Sequence, residues 1–519
     1  MRRLRRTHIL RGVLSAAVTA AAACGGGSQP PAGQTQSTAD ATQAVTAQAE
    51  AQPAPAAQAA AGEELLVQLR PQASLGVMAA AMTEARTLPT ETVVKESQQI
   101  AGRGEILLVR VAAGVSVEQA RAELQASEQV AFVEPNYRYT HQQTSNDTHY
   151  ADGKLWGMFG DDKPSAIGPI GTNPPGTLTT NEFGIQAEKA WKAGHTGSAN
   201  VVVAVLDEGI DVNHPDLKDN IWTNPGETGK DSAGADKRTN KKDDDGNGKV
   251  DDVHGWDFRN NDNTVFDGTP STPNIDKHGT HVAGTIGARG GNAAGVAGVV
   301  WNVRIISAKF LGPADGTTAD AIKAIDYLID LKQRHQLKLG AINHSWGGGG
   351  RSVLLHDALK RAARAGILSI CAAGNGGFDK VGDDDDASPF YPASYDTTAD
   401  WRAEGGTAGE SYDAIVSVAS LSRNGSLAKS SNFGKKSVDL AAPGDPIYSA
   451  LPHGNYGDLS GTSMATPHVT GGVALYLSTH PNATARAIKG AILASATSTP
   501  TATVKDKSVS GGRLNVAGF

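Results

Sequence analysis

Four residues of this 519-residue chain have the types and settings to act on a carbonyl group: Asp207, His278, Asn375 and Ser463. Asp207 lies in VVVAVLDEGID (201–211), a branched apolar run that suits a strand buried on both faces of a parallel sheet. A carboxylate at the carboxyl end of such a strand sits where α/β sheets bind ligands, although an acid near glycine also makes ordinary turns. His278 lies in DKHGTHVAGTIGA (276–288). At a helix start its imidazole can face a cleft, and its titration near neutrality suits a general base. His281 follows three residues later on the same helical face. A zinc-protease pair needs histidines four apart with a glutamate after the first, and neither condition holds. Ser463 opens the helix of LSGTSMATPHVTGGVALYLS (459–478), among free N–H groups and at the positive end of the dipole. That setting stabilises an anion forming on a bound carbonyl, while N-capping is the commonest use of serine there. Pro467 is expected in the first turn, where its missing N–H is not needed. Asn375 ends the buried run GILSICAAGN (366–375), and its amide can donate to a developing oxyanion.

Each motif alone is ambiguous; the four in this order are not. With HGTHVAG, GTSMATPHV and AAGN, the chain resembles the subtilisin-like serine proteases, or subtilases, whose Asp, His, Ser order is the family's own. The resemblance implies a serine endopeptidase working through Asp207, His278 and Ser463, with Asn375 at the oxyanion. It departs at Glu208, where the family most often has Ser or Thr, and an extra carboxylate there could shift the histidine's basicity. NHSWGG (343–348) looks like the family's substrate-channel strand. Ser345, Trp346, Gly347, Ala373 and Gly374 are therefore the expected substrate-binding residues, an exposed strand edge pairing with an extended peptide. The implied fold is α/β, a subtilisin-like three-layer arrangement around a mainly parallel sheet, over 145–519. No organic cofactor is expected, and the enzyme is expected to be a monomer acting on polypeptides.

Ahead of it stands a smaller module. ELLVQLR, EILLVRV and QVAFVEPNYRY read as strands, a helical stretch falls near 75–86, and SVEQARAELQAS reads as a helix capped by Ser116. This α+β unit (63–140) resembles the ferredoxin-like subtilase propeptide, an intramolecular chaperone and inhibitor. Self-cleavage is expected between about Tyr139 and Tyr150. Residues 25–62 are an Ala/Gln/Pro-rich linker with a span on the order of 30–35 Å. Residues 1–24 have a basic head, a short apolar stretch and small residues before Cys24, the layout of an export signal. Ala21-Ala22-Ala23 before Cys24 resembles a bacterial lipoprotein box, which makes Cys24 a candidate lipid anchor; an ordinary signal with a chance thiol is the alternative. The expected location is the cell envelope or the medium.

Composition agrees with an enzyme and excludes other classes. Lys and Arg total 47 against 54 acids, a net charge of −7, so there is no basic excess to hold a phosphate backbone, and no nucleic-acid partner is expected. Two cysteines rule out a disulfide scaffold or a four-cysteine zinc site. Cys371, in the strand before Asn375, reads as a small buried hydrophobe. A rival α/β-hydrolase esterase needs the order Ser, Asp, His and G-x-S-x-G; this chain has GTSMA and another order. A catalytically dead adhesin on the same scaffold would have lost a catalytic residue, and none is lost.

DDDGNGKVDD (243–252) sets oxygen side chains in alternation around a glycine turn, as a hard cation requires. Calcium is the expected ion, held by Asp243, Asp245, Asn247, Lys249 and Asp252; a merely solvated Asp/Gly turn is the alternative. The acids at 383–386 read as a solvated surface run, with a second cation site as the other reading.

Overall fold

The computed structural model describes residues 60–70, 94–99, 106–128, 130–137, 145–160, 183–312, 315–348, 350–377, 379–398, 411–498 and 503–519. The expected export signal with Cys24, most of the expected linker, the helix expected near 75–86 and the start of the expected cleavage stretch lie outside the described residues. The chain divides into two compact units, Met1–Arg138 and Tyr139–Phe519.

The first unit is a four-stranded antiparallel sheet built from β1 (Ala60–Leu69), β2 (Val94–Gln99), β3 (Ile106–Val111) and β4 (Val130–Tyr137), in the order β2-β3-β1-β4. Helix α1 (Val117–Gln125) packs on β1 and β4. Ser116 caps it as expected, its Oγ accepting from the Gln119 N–H at 3.1 Å. Ala120 and Leu124 turn inward onto Leu65, Val67, Val109 and Val133. The β2 segment, VKESQQ, was not foreseen, because it has neither an apolar alternation nor a branched run to announce a strand.

The second unit carries seven parallel strands: β5 (Gly197–Asp207), β6 (Gly255–Asp257), β7 (Asn302–Lys309), β8 (Lys338–His344), β9 (Leu368–Ala372), β10 (Ile415–Ser422) and β11 (Leu440–Asp445). Their order is β11-β10-β9-β8-β5-β7-β6, and every pairing is parallel. A hairpin of β12 (Ile447–Leu451) and β13 (Asn455–Leu459) follows. The helices are α2 (Thr148–Ala151), α3 (Ala187–Lys192), α4 (Lys277–Gly287), α5 (Thr318–Arg334), α6 (Val353–Arg364), α7 (Thr462–Thr479) and α8 (Ala485–Ala494).

The continuous apolar run of β5 is explained by what lies on each side. Val201, Val203 and Val205 pack with Val282 and Ile286 of α4 and Val469 and Val473 of α7. Val202, Ala204 and Leu206 pack with Ile325 and Leu328 of α5 and Leu355 and Leu359 of α6. Each of these Val, Leu and Ile side chains stabilises the fold by about 1.5–3 kcal/mol through burial. Three layers result, as expected. Thr317, Ser352 and Thr484 cap α5, α6 and α8 through their hydroxyl oxygens.

Helix α7 is buried on nearly all sides from Thr462 to Leu475, so it has no polar face to show. Pro467 is not in its first turn, contrary to expectation: the helix begins at Thr462, which makes Pro467 its sixth residue. Its missing N–H would have met the Ser463 carbonyl four residues back. That carbonyl instead accepts from Ser345 Oγ at 2.8 Å.

Candidate active site

The expected residues gather at the carboxyl ends of the neighbouring strands β9, β8 and β5. Asp207 is the last residue of β5 and fully buried. Its two carboxylate oxygens lie 2.9 and 3.0 Å from His278 Nδ1, so that nitrogen carries the proton and donates, leaving Nε2 as the basic atom. His278 is the second residue of α4, with its side chain 31% exposed, so one edge of the imidazole meets solvent. Burial works against its cation. The charge and hydrogen bond of Asp207, with the charge of Glu208, outweigh that and raise its pKa above the ordinary value. Glu208 accepts from the His278 backbone N–H at 2.5 Å, fixing the helix start. Burial and the charge of Asp207 push its own carboxyl up. Beneath them the Lys309 ammonium, 2% exposed, donates to Asp276 Oδ1 at 2.5 Å and to the Glu208 carbonyl, tying strand end to helix start.

Ser463 is the second residue of α7. Its Oγ donates to the Ser345 carbonyl at 3.0 Å, and among the described residues no hydrogen bond joins it to His278. Its backbone N–H has no acceptor among the described residues and faces the helix's unpaired first turn. Asn375 follows β9 on an exposed turn. Its Oδ1 accepts from the Thr462 N–H at 2.8 Å and Thr462 Oγ1 at 3.1 Å, which consumes the acceptor and leaves Nδ2 to donate. Gly461, at φ +141°, precedes this pair, and a Cβ there would stand 3.0 Å from Asn375 Oδ1. An imidazole with a free basic nitrogen, a hydroxyl at a helix start and two N–H donors are the parts that acyl transfer needs.

The residues expected to bind substrate have different settings. Ser345 is buried and its hydroxyl is engaged, accepting from Asn343 Nδ2 at 2.9 Å while it supports the Ser463 carbonyl. Trp346 is half-buried, edge-on to Phe310 with centroids 4.7 Å apart. Gly347 is exposed. Ala373 and Gly374 are buried, so they present backbone only. His281 is a core histidine: its Nε2 meets the Ile447 and Gly457 carbonyls at 2.9 and 3.1 Å, and burial lowers its pKa to about 3. Cys371 is buried, and burial raises its thiol pKa well above the usual range.

The acidic loop converges differently from expectation. Oxygens of Glu227, Asp245 and Asp252 lie within 4.8 Å of one another. Asp243 turns away, its carboxylate accepting from the Gly246, Asn247 and Gly248 amides. Asn247 donates from Nδ2 to Asp245 and Asp252, and its Oδ1 accepts from the Lys249 N–H. The Lys249 ammonium lies 4.7 Å from the centroid of Trp256. Glu227, in NPGE sixteen residues before the loop, was missed, since nothing in its spacing ties it there. Burial and the charges of Asp252 and Asp245 push its carboxyl up to about 7, against hydrogen bonds from the Asp244 and Asp245 amides. Burial pushes Asp252 up to about 6 against bonds from Tyr327, Asn247 and Asn224. Glu227 Oε2 is buried with no partner among the described residues. Three crowded carboxylates, one with an orphan oxygen, fit a divalent cation.

The run at 383–386 is a solvated face at three positions and not at the fourth: Asp385 is 1% exposed, while Asp383, Asp384 and Asp386 are exposed.

Residues 198–515 match the subtilase family. The chain is 36% identical over 293 residues to the major intracellular serine protease of Bacillus subtilis, covering 56% of this chain and 72% of that one. It is 36% identical over 292 residues to subtilisin-like protease 1 of Plasmodium falciparum, covering 54% of this chain and 38% of that protein's length. A crystal structure of a cold-adapted subtilisin-like serine proteinase aligns at 27% identity and a TM-score of 0.43, covering 70% of this chain and 97% of that one. With more than half of its length matched by the family, the chain belongs to the subtilases.

Proposed function

We propose that the protein is a serine endopeptidase. The observation that carries this reading is the buried Asp207 paired with His278 Nδ1 at the same sheet edge as a helix-opening Ser463. Ser463 Oγ leaves the Ser345 carbonyl and attacks the scissile carbonyl carbon, while His278 Nε2 takes its proton. Asn375 Nδ2 and the Ser463 N–H hold the oxyanion, and Asp207 supports the imidazolium. His278 then returns the proton to the departing amine, leaving an acyl group on Ser463. Water, deprotonated by His278, hydrolyses it and regenerates the hydroxyl. The exposed backbone at Gly347 and half-buried Trp346 receive an extended polypeptide. A fluorophosphonate probe should label wild type and not Ser463→Ala, with peptide hydrolysis lost in parallel. Equal labelling of both would refute the assignment.

Calcium is the proposed structural ion, held by Glu227, Asp245 and Asp252. Bound there, it would neutralise the crowded carboxylates and pin the acidic loop. The rest of the chain fits a zymogen: residues 63–140 serve as propeptide, self-cleavage falls between about Tyr139 and Tyr150, and the N-terminal segment directs export, with Cys24 the candidate lipid anchor. A Ser463→Ala protein that still matured when purified alone would refute self-processing. Labelled fatty acid incorporated by wild type and absent from Cys24→Ser would support the anchor.

A further inference from the structure

The two residues that flank Asn375 are held by one buried residue, through its backbone on one side and its side chain on the other. The Asn432 N–H donates to the Gly374 carbonyl at 2.9 Å, and Asn432 Oδ1 accepts from the Gly376 N–H at 2.8 Å. Residues on both sides of Asn375 are thus held by Asn432, which is 3% exposed. The fit is close, since a Cβ on Gly374, at φ +115°, would stand 2.6 Å from Asn432 Nδ2. Asn432 Oδ1 also accepts from the Asp383 N–H at 3.0 Å, and its Nδ2 donates to Asp385 Oδ1 at 2.9 Å. The Gly376 and Asp383 N–H groups fix which way round the amide sits, since a flip would turn Nδ2 onto two donors, and Asp385 holds the amide's other end by accepting from Nδ2. The other carboxylate oxygen, Asp385 Oδ2, is buried with no partner among the described residues. Among the described residues the one hydrogen bond to this carboxyl is the one it accepts from Asn432 Nδ2.

We infer that Asp385 and Asn432 form a positioning pair that holds the Asn375 amide where it meets the oxyanion; this rests on the reading of Asn375 as an oxyanion donor. Burial, and the charges of Asp383, Asp384 and Asp386, push the Asp385 carboxyl up to about 8 against the bond from Asn432. The neutral amide of Asp385→Asn is therefore its closest mimic.

The test is a double-mutant cycle on peptide hydrolysis. Asp385→Ala should lower kcat by about 10–100-fold with KM little changed, the effect of a misplaced donor. Asp385→Asn, which keeps an acceptor for Asn432 Nδ2, should stay within about threefold of wild type. In an Asn375→Ala background Asp385→Ala should cost nothing further, because the group it positions is gone. Losses that multiply in the double variant, or an unchanged kcat in Asp385→Ala, would overturn the inference. Where Asp385→Ala does not fold, Asn432→Ser carries the same cycle, being too short to reach both Gly376 and Asp385. Asn375→Ala alone reports on the underlying reading: full activity in it would remove the oxyanion role, and this inference with it.

Discussion

Replacing Ser345 by alanine should strike the nucleophile through its backbone. Ser345 Oγ accepts from Asn343 Nδ2 and donates to the Ser463 carbonyl, and Asn343 is fully buried. The substitution leaves one N–H and one carbonyl without partners. At about 1–3 kcal/mol for each orphaned buried group, the loss is roughly 2–6 kcal/mol. Against a total stability of about 5–15 kcal/mol, that is a large share. The cause can be isolated, because the Ser463 carbonyl needs Ser345 only while Pro467 withholds the helical N–H. Pro467→Ala supplies that donor from within α7. Alone it should change little, since the carbonyl already has a partner. Combined with Ser345→Ala it should recover about 1–3 kcal/mol of the loss, leaving only Asn343 unsatisfied. Urea unfolding of the four proteins gives the cycle, and kcat/KM on a peptide follows the position of Ser463. A coupling energy within about 0.5 kcal/mol of zero would refute the account, as contacts that do not communicate simply add.

Asn375→Ala should lower kcat by about 10²–10³ with KM nearly unchanged, the range established for such a donor in this family. Gly461→Ala should also reduce kcat while the protein still folds, as the new Cβ presses on Asn375 and the φ of +141° disfavours a side chain; a fully active variant would contradict the crowding. Chelation should lower Tm by about 5 °C, the consequence of losing an ion present at about a hundred times its Kd, and Glu227→Gln should abolish most of that calcium dependence. Glu208→Gln removes a negative charge that favours the His278 cation, so the acidic limb of kcat/KM should move to lower pH; a shift to higher pH would reverse the sign argued here.

What the sequence disclosed and what it withheld divide along the range of the interactions. The β5 strand and the helix after Ser463 were legible because their apolar patterns are local and each meets a packed layer. Asp207, His278, Asn375 and Ser463 were legible through short motifs carrying tight turns. Glu227 was not, because its partners are fixed only when the loop at 243–252 folds back on it. Asp385 looked solvated among three other acids, yet Asn432, nearly fifty residues away, draws it inside. Pro467 was misread by a few positions, since the helix start depends on the grip of Asn375 on Thr462, a contact no local pattern announces.

Helix α7 gives the molecule its sense of timing. The hydroxyl at its head lies at the end of a rod that the protein closes around from every side, and the other groups arrive from strands joined by long crossovers. Pairings of that reach form slowly, after the ends of long loops have met. A half-folded chain therefore has no hydrolytic centre to turn on itself or its neighbours. Bond-cleaving power appears only with the finished core, and on heating it should vanish at the same midpoint as the near-ultraviolet circular dichroism of the buried tryptophans.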